Sequence, residues 1–147
     1  MNRRWRLSIV WLAAFALAVL LLESYFLRQV TVMGQRVPIL TAASRPAMYG
    51  ELAQIYGPML LLIGAAWFAK PLKPIPNSTL ETQRWRWALA CTLGFNAIVL
   101  ALIGAYHWQA GTGEVLDTMR TAKGVGVTLA FLVAWPNVHY FGAKPPG

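Results

Sequence analysis

The chain reads as an all-α integral membrane protein: a four-helix transmembrane bundle with a hairpin-like outer loop between helices 1 and 2. Three observations predict this. Four apolar stretches, about 7–22, 52–69, 87–106 and 125–140, fill most of the 147 residues. With its flanks, each approaches the roughly 20 residues a helix needs to cross ~30 Å of hydrocarbon. Only helices or closed barrels satisfy their backbone polar groups there. Finally, charged residues make up 12% of the chain and mean hydropathy is +0.48; soluble domains carry about 25% charged residues. Too little chain remains outside these stretches for a separate soluble domain.

Helix 1 is expected over about 5–27. Arg3, Arg4 and Arg6 precede it, and Ala14-Phe15-Ala16 resembles a weak cleavage site. The apolar run continues through Leu17–Leu22, longer than a signal-peptide core, so an uncleaved anchor is expected. In the following segment Val30, Val32, Val37 and Ile39 alternate with polar residues around Gly34, and Pro38 suits an edge strand. That pattern points to a hairpin.

Helix 2 is expected over about 45–69, with Ser44 as N-cap and Pro46 in the first turn. Pro58 removes the donor to the Gln54 carbonyl. Lys70-Pro-Leu-Lys-Pro-Ile-Pro76 reads as a stiff basic spacer. Ser78-Thr-Leu-Glu81 has capping-box spacing and starts helix 3, about 79–108. Gly111 and Gly113 end it. Residues 112–123 form a polar connection to helix 4, about 122–141, and the tail from Lys144 is short.

Lys and Arg placement favours an N-in/C-in topology, with eight basic residues inside and five outside. Trp5, Trp67, Trp85, Trp87 and Trp135 would then form an inner aromatic belt, and Tyr25, Tyr49, Tyr106 and Trp108 an outer one. The net charge of +8 does not signal nucleic acid, because the basic residues flank the spans as anchors. Membrane lipids are the expected partners. The compact size and Arg-rich start suggest a bacterial inner membrane.

Few residues offer chemistry. Asn96 is the deepest strongly polar side chain and needs a hydrogen-bonding partner. Glu23 lies about 12 Å above the centre of helix 1, near enough to the surface for an ion pair with a loop arginine. A carboxylate within a span is also a candidate proton carrier. His107 and His139 fall at opposite ends of helices 3 and 4, so one chain cannot bring both to one haem iron. Pro136 frees the Leu132 carbonyl, and Asn137, His139 and Tyr140 beside it could line a pocket for a quinone or a lipid headgroup. His107, His139 and Asn137 are therefore the candidate cofactor-binding residues, with lipid, quinone or haem as the ligand classes. No metal cluster, Walker loop, GxGxxG or GxSxG motif occurs, and the single Cys91 cannot form an intrachain disulfide.

The clearest pattern concerns packing. Gly126, Ala130 and Ala134 continue a stripe from Ala122 on helix 4. Ala97, Ala101 and Ala105 form one stripe on helix 3, with Ala90 and Gly94 on another. Small residues four apart let backbones approach closely, so tight pairing of helices 3 and 4 is expected. By elimination, the chain is expected to be a non-enzymatic accessory or assembly subunit binding other membrane subunits. The alternatives are a homo-oligomeric small-solute transporter or channel using Glu23 and Asn96, and a quinone- or haem-binding redox subunit.

Overall fold

A computed structural model of the chain describes residues 3–38, 40–68, 79–105 and 115–141. The elements are helix α1 (Arg3–Leu27), strands β1 (Gln29–Val32) and β2 (Gln35–Pro38), a 3₁₀ turn (Ala42–Ser44), and helices α2 (Arg45–Phe68), α3 (Thr79–Ala105) and α4 (Val115–Phe141). All four α-helices belong to segments long and apolar enough to cross a membrane. At 1.5 Å per residue they are about 36–41 Å long.

The helices are hydrophobic on all sides, so the core-facing stripe emerges from packing. On α1 it is Leu7, Trp11, Ala14, Ala18, Leu22 and Tyr25. On α2 it is Met48, Leu52, Ile55, Met59 and Ile63. On α3 it is Ala88, Thr92, Phe95, Val99 and Ile103, with Asn96 beside Phe95. Steps of four and three residues keep one face turned inward along the whole helix. Neighbouring pairs form a ring in the order α1, α3, α4, α2, and α3 against α4 is the most extensive contact.

Side-chain contacts fix the direction of each helix. Arg3 reaches Thr82, Trp67 reaches Ser8, and His139 reaches Glu81 at one end. At the other, Tyr49 reaches Glu23, Lys123 reaches Glu51, and Tyr25 donates to the Ile103 carbonyl. The helices thus alternate in direction. The start of α1 and the end of α4 share what is called here the terminal end; the opposite end carries the hairpin.

β1 and β2 pair antiparallel, with Val32 opposite Gln35 and Gln29 opposite Pro38. The turn residues Met33 and Gly34 both have positive φ, 49° and 79°. That geometry matches the right-handed twist of a two-residue hairpin. Residues 39, 69–78 and 106–114 lie outside the described set, and with them Ile39, the Pro-rich spacer, Ser78, Tyr106, His107 and Trp108.

Three local expectations change. First, α4 begins at Val115 rather than near 122. Val115, Met119 and Ala122 are all buried and continue its inward stripe, while Asp117 and Arg120 face solvent. Second, Ser44 precedes α2, but its hydroxyl lies 3.3 Å from that of Thr41 within the 3₁₀ turn. Third, the α3–α4 pairing does not use Ala97, Ala101 and Ala105. Ala97 and Ala101 are exposed and Ala105 is half-buried. The polar Thr92 and Asn96 lie instead on the inward, buried face of α3.

The α4 stripe is used in part. Ala122 and Gly126 are buried, whereas Ala130 and Ala134 are half-buried. A Cβ on Gly126 would stand 3.2 Å from Cγ2 of Ile55 and 3.7 Å from Cγ2 of Val99. Three helices converge on that hydrogen atom. Gly126→Leu is therefore expected to destabilise the fold by about 1–3 kcal/mol through overpacking. Gly94→Leu, at a site where an added Cβ meets nothing within 4 Å, is expected to leave thermal unfolding in detergent unchanged or slightly raised.

Candidate functional site

The polar side chains of the bundle sort into three layers. In the middle layer, Asn137 is fully buried. Its Nδ2 donates to the Val133 carbonyl (2.8 Å) and to Thr92 Oγ1 (3.0 Å), and its Oδ1 accepts from the Trp11 indole N–H (3.3 Å). The indole reaches across the diagonal of the ring, and its edge meets Tyr56 and Phe95 at centroid distances of 6.2 and 5.5 Å. One amide thereby joins α1, α3 and α4. Asn137 does not reach the Leu132 carbonyl that Pro136 frees; its amide bonds the next carbonyl along.

Asn96 is also buried. Its Nδ2 donates to the Thr92 carbonyl at 2.8 Å. Its Oδ1 and the Tyr56 hydroxyl are buried without a hydrogen-bond partner among the described residues. Asn96 therefore bonds within its own helix instead of bridging helices.

At the hairpin end, Glu23 accepts from Arg45 Nη2 (3.1 Å) and from the Tyr49 hydroxyl (2.6 Å). Arg45 also stacks on Phe26, 4.8 Å from the ring centroid. Lys123 Nζ lies 2.7 Å from Glu51, linking α4 to α2. Asp117 pairs with Arg120 at 3.3 Å.

The terminal end carries a concave surface. A groove of about 750 Å³ opens between α3 and α4, walled by Trp87, Phe131, Trp135 and Tyr140, with Arg84 and His139 at its polar end. Glu81 organises that end from behind. One carboxylate oxygen accepts from Arg84 Nη1 at 3.0 Å, and the other lies 3.2 Å from His139 Nε2. The Tyr140 hydroxyl donates to the Glu81 carbonyl at 3.4 Å, and Trp85 packs edge-on against the Tyr140 ring. Glu81, read in the sequence as part of a capping box with Ser78, which lies outside the described residues, anchors two side chains of the groove.

His139 and Tyr140 are brought to one concave surface. Asn137 is not part of it, because its amide points into the bundle. A smaller groove of about 290 Å³ lies beside Arg4, Trp5, Ala66, Trp67 and Phe141 at the same end. Among the described residues, no three His, Cys, Asp or Glu side chains cluster to hold a metal ion. No family model, curated protein or solved structure matches the chain.

Sequence reasoning passed over Thr92 and Trp11. Thr92 sits four residues before Asn96, on the same face, and that spacing was the available signal. Asn137→Ala would leave the Trp11 N–H and the Thr92 hydroxyl buried without their partner. It is expected to lower the unfolding free energy by about 1–3 kcal/mol, measured by denaturant titration in detergent. Thr92→Val combined with Asn137→Ala should cost less than the sum of the two single changes.

Proposed function

We propose that the chain is an integral protein of a bacterial inner membrane, N-in and C-in, and acts as a non-enzymatic accessory or assembly subunit of a larger membrane complex. The observation that carries the reading is the outward face of α3. Ala90, Gly94, Ala97 and Ala101 are all exposed, although small residues at this spacing suit close helix approach. The bundle packs with the opposite face and leaves this one to another helix.

Two further observations support the reading. The hairpin stands on the bundle with Thr31, Met33 and Gln35 through Pro38 exposed. Two strands alone are marginally stable, and their open edges suit pairing with another chain. In addition, Glu23, Glu51, Glu81 and Asp117 are each ion-paired, which favours a structural role over proton carriage. The terminal end holds Arg3, Arg4, Arg6, Arg84 and Arg86. Lys70, Lys73 and Lys144 belong to the same side by sequence, which favours a cytoplasmic placement.

Affinity purification in mild detergent, followed by mass spectrometry, is expected to recover stoichiometric foreign subunits. Joint replacement Gly94→Leu with Ala97→Leu should reduce that recovery by about tenfold, equivalent to ~1.4 kcal/mol of association, with thermal stability preserved. Recovery of the wild-type chain as a homo-oligomer alone would overturn the subunit reading.

A further inference from the structure

We propose that the groove between α3 and α4 is a seat for one anionic phospholipid, with its phosphate on Arg84 and an acyl chain along Trp87, Trp135 and Phe131. The inference rests on the membrane placement proposed above, and it is independent of any partner subunit.

The groove has the polarity of an amphiphile. Arg84 and His139 stand at its terminal end, where helix ends meet the interface. Phe131 lies eight residues before His139 on α4, about 12 Å deeper at 1.5 Å per residue. The wall between is apolar and open: Trp87 is 70% exposed and Trp135 87%. Ala134 contributes only a methyl group there, which leaves room for an extended chain.

Charge selects the headgroup. Five arginines and one glutamate occupy this end among the described residues. Among the same described residues the hairpin end has five basic residues against Glu23, Glu51 and Asp117. Glu81 does not repel an incoming phosphate strongly, because its side chain is 10% exposed and both oxygens already face Arg84 and His139. Arg84 commits one N–H to Glu81 and keeps 52% of its side chain open. A guanidinium has five donors, enough to hold the carboxylate and a phosphate together. A partner helix would have to bring a buried anion of its own to meet this arginine, at a desolvation cost. A lipid phosphate arrives at the interface already charged. A quinone carries no charge to match the excess.

The test supplies the full-length chain in detergent with equal amounts of phosphatidylglycerol and phosphatidylcholine, and counts retained lipids by native mass spectrometry. Wild type should retain phosphatidylglycerol about fivefold over phosphatidylcholine, the scale of one interfacial basic residue. Arg84→Gln should bring the two lipids to parity, and Arg84→Lys should keep most of the preference. Ala134→Phe fills the apolar wall without changing charge and should remove the retained lipid. It decides the matter should Arg84→Gln fail to fold. Equal retention by wild type, or an undiminished preference in Ala134→Phe, would overturn the seat. So would displacement of the retained phosphatidylglycerol when ubiquinone is added to the same mixture in equal amount. A chain that stays folded and monomeric without detergent would instead overturn the membrane placement itself.

Discussion

An amide carried among apolar helices must find hydrogen bonds, and Asn137 finds them on three of the four helices. The requirement fixes rotation. Each residue of an α-helix turns about 100° from the last, so aiming Asn137 inward also aims Val133, Tyr140 and Phe141 inward, and all are buried. The same rotation turns Phe131, Trp135 and Val138 outward, onto the groove. On α3, the partner Thr92 brings Phe95, Asn96 and Val99 into the core and sends Ala97 and Ala101 out. Lateral packing of apolar side chains alone discriminates weakly between such rotations when the surroundings are as apolar as the core. The polar contacts supply the discrimination.

The two ends do a different job. Pairs such as Glu23 with Arg45, which is partly exposed, and Glu51 with Lys123, which is largely buried, tie neighbouring helices at the hairpin end. Their value lies in register: each pair joins residues distant in sequence at one height of the bundle. Tyr25 and the Ile103 carbonyl add a third tie at the hairpin end. At the terminal end, Arg3 on Thr82 and Trp67 on Ser8 perform the same service. With both ends tied and Asn137 pinned between them, sliding one helix past another would break contacts at three heights together.

Helix number and type were legible in the sequence, because each long apolar stretch reads as one helix. The hairpin was legible from alternation around Gly34, whose positive φ the turn uses. The pairing of Glu23 with an arginine followed from its distance to the helix centre. Rotation was less legible. Small residues on α3 announce that something can approach closely without saying whether it is α4 or a partner, and Ala97 and Ala101 prove to be exposed. Asn137 read as a helix-end residue beside Pro136, yet it is the most connected polar group of the interior. Trp11 gave no separate signal within an apolar run, and its role exists only once α1 and α4 lie on one diagonal. The early start of α4 was hidden by Asp117, Arg120 and Lys123, which interrupt the buried Val115, Met119 and Ala122 in sequence but lie on other faces.

With its described acids ion-paired and Asn137 bonded inward, the bundle leaves its outside for recognition. Two such surfaces lie on α3. Arg84 and Trp87 belong to the groove, and the small-residue stripe starts at Ala90, one turn further along the same helix. The pair are separated by chemistry as well as position. The groove joins a cationic end to large aromatic walls, which favours a flexible charged amphiphile. The stripe is uncharged and nearly flat, which favours a rigid helix. A lipid in the groove would stand beside any helix laid on the stripe and fill space that two straight helices leave between them. The arrangement asks different substitutions to separate the two: volume added at Gly94 and Ala97 acts on the helix, and volume added at Ala134 acts on the lipid, with neither reaching the Asn137 pin.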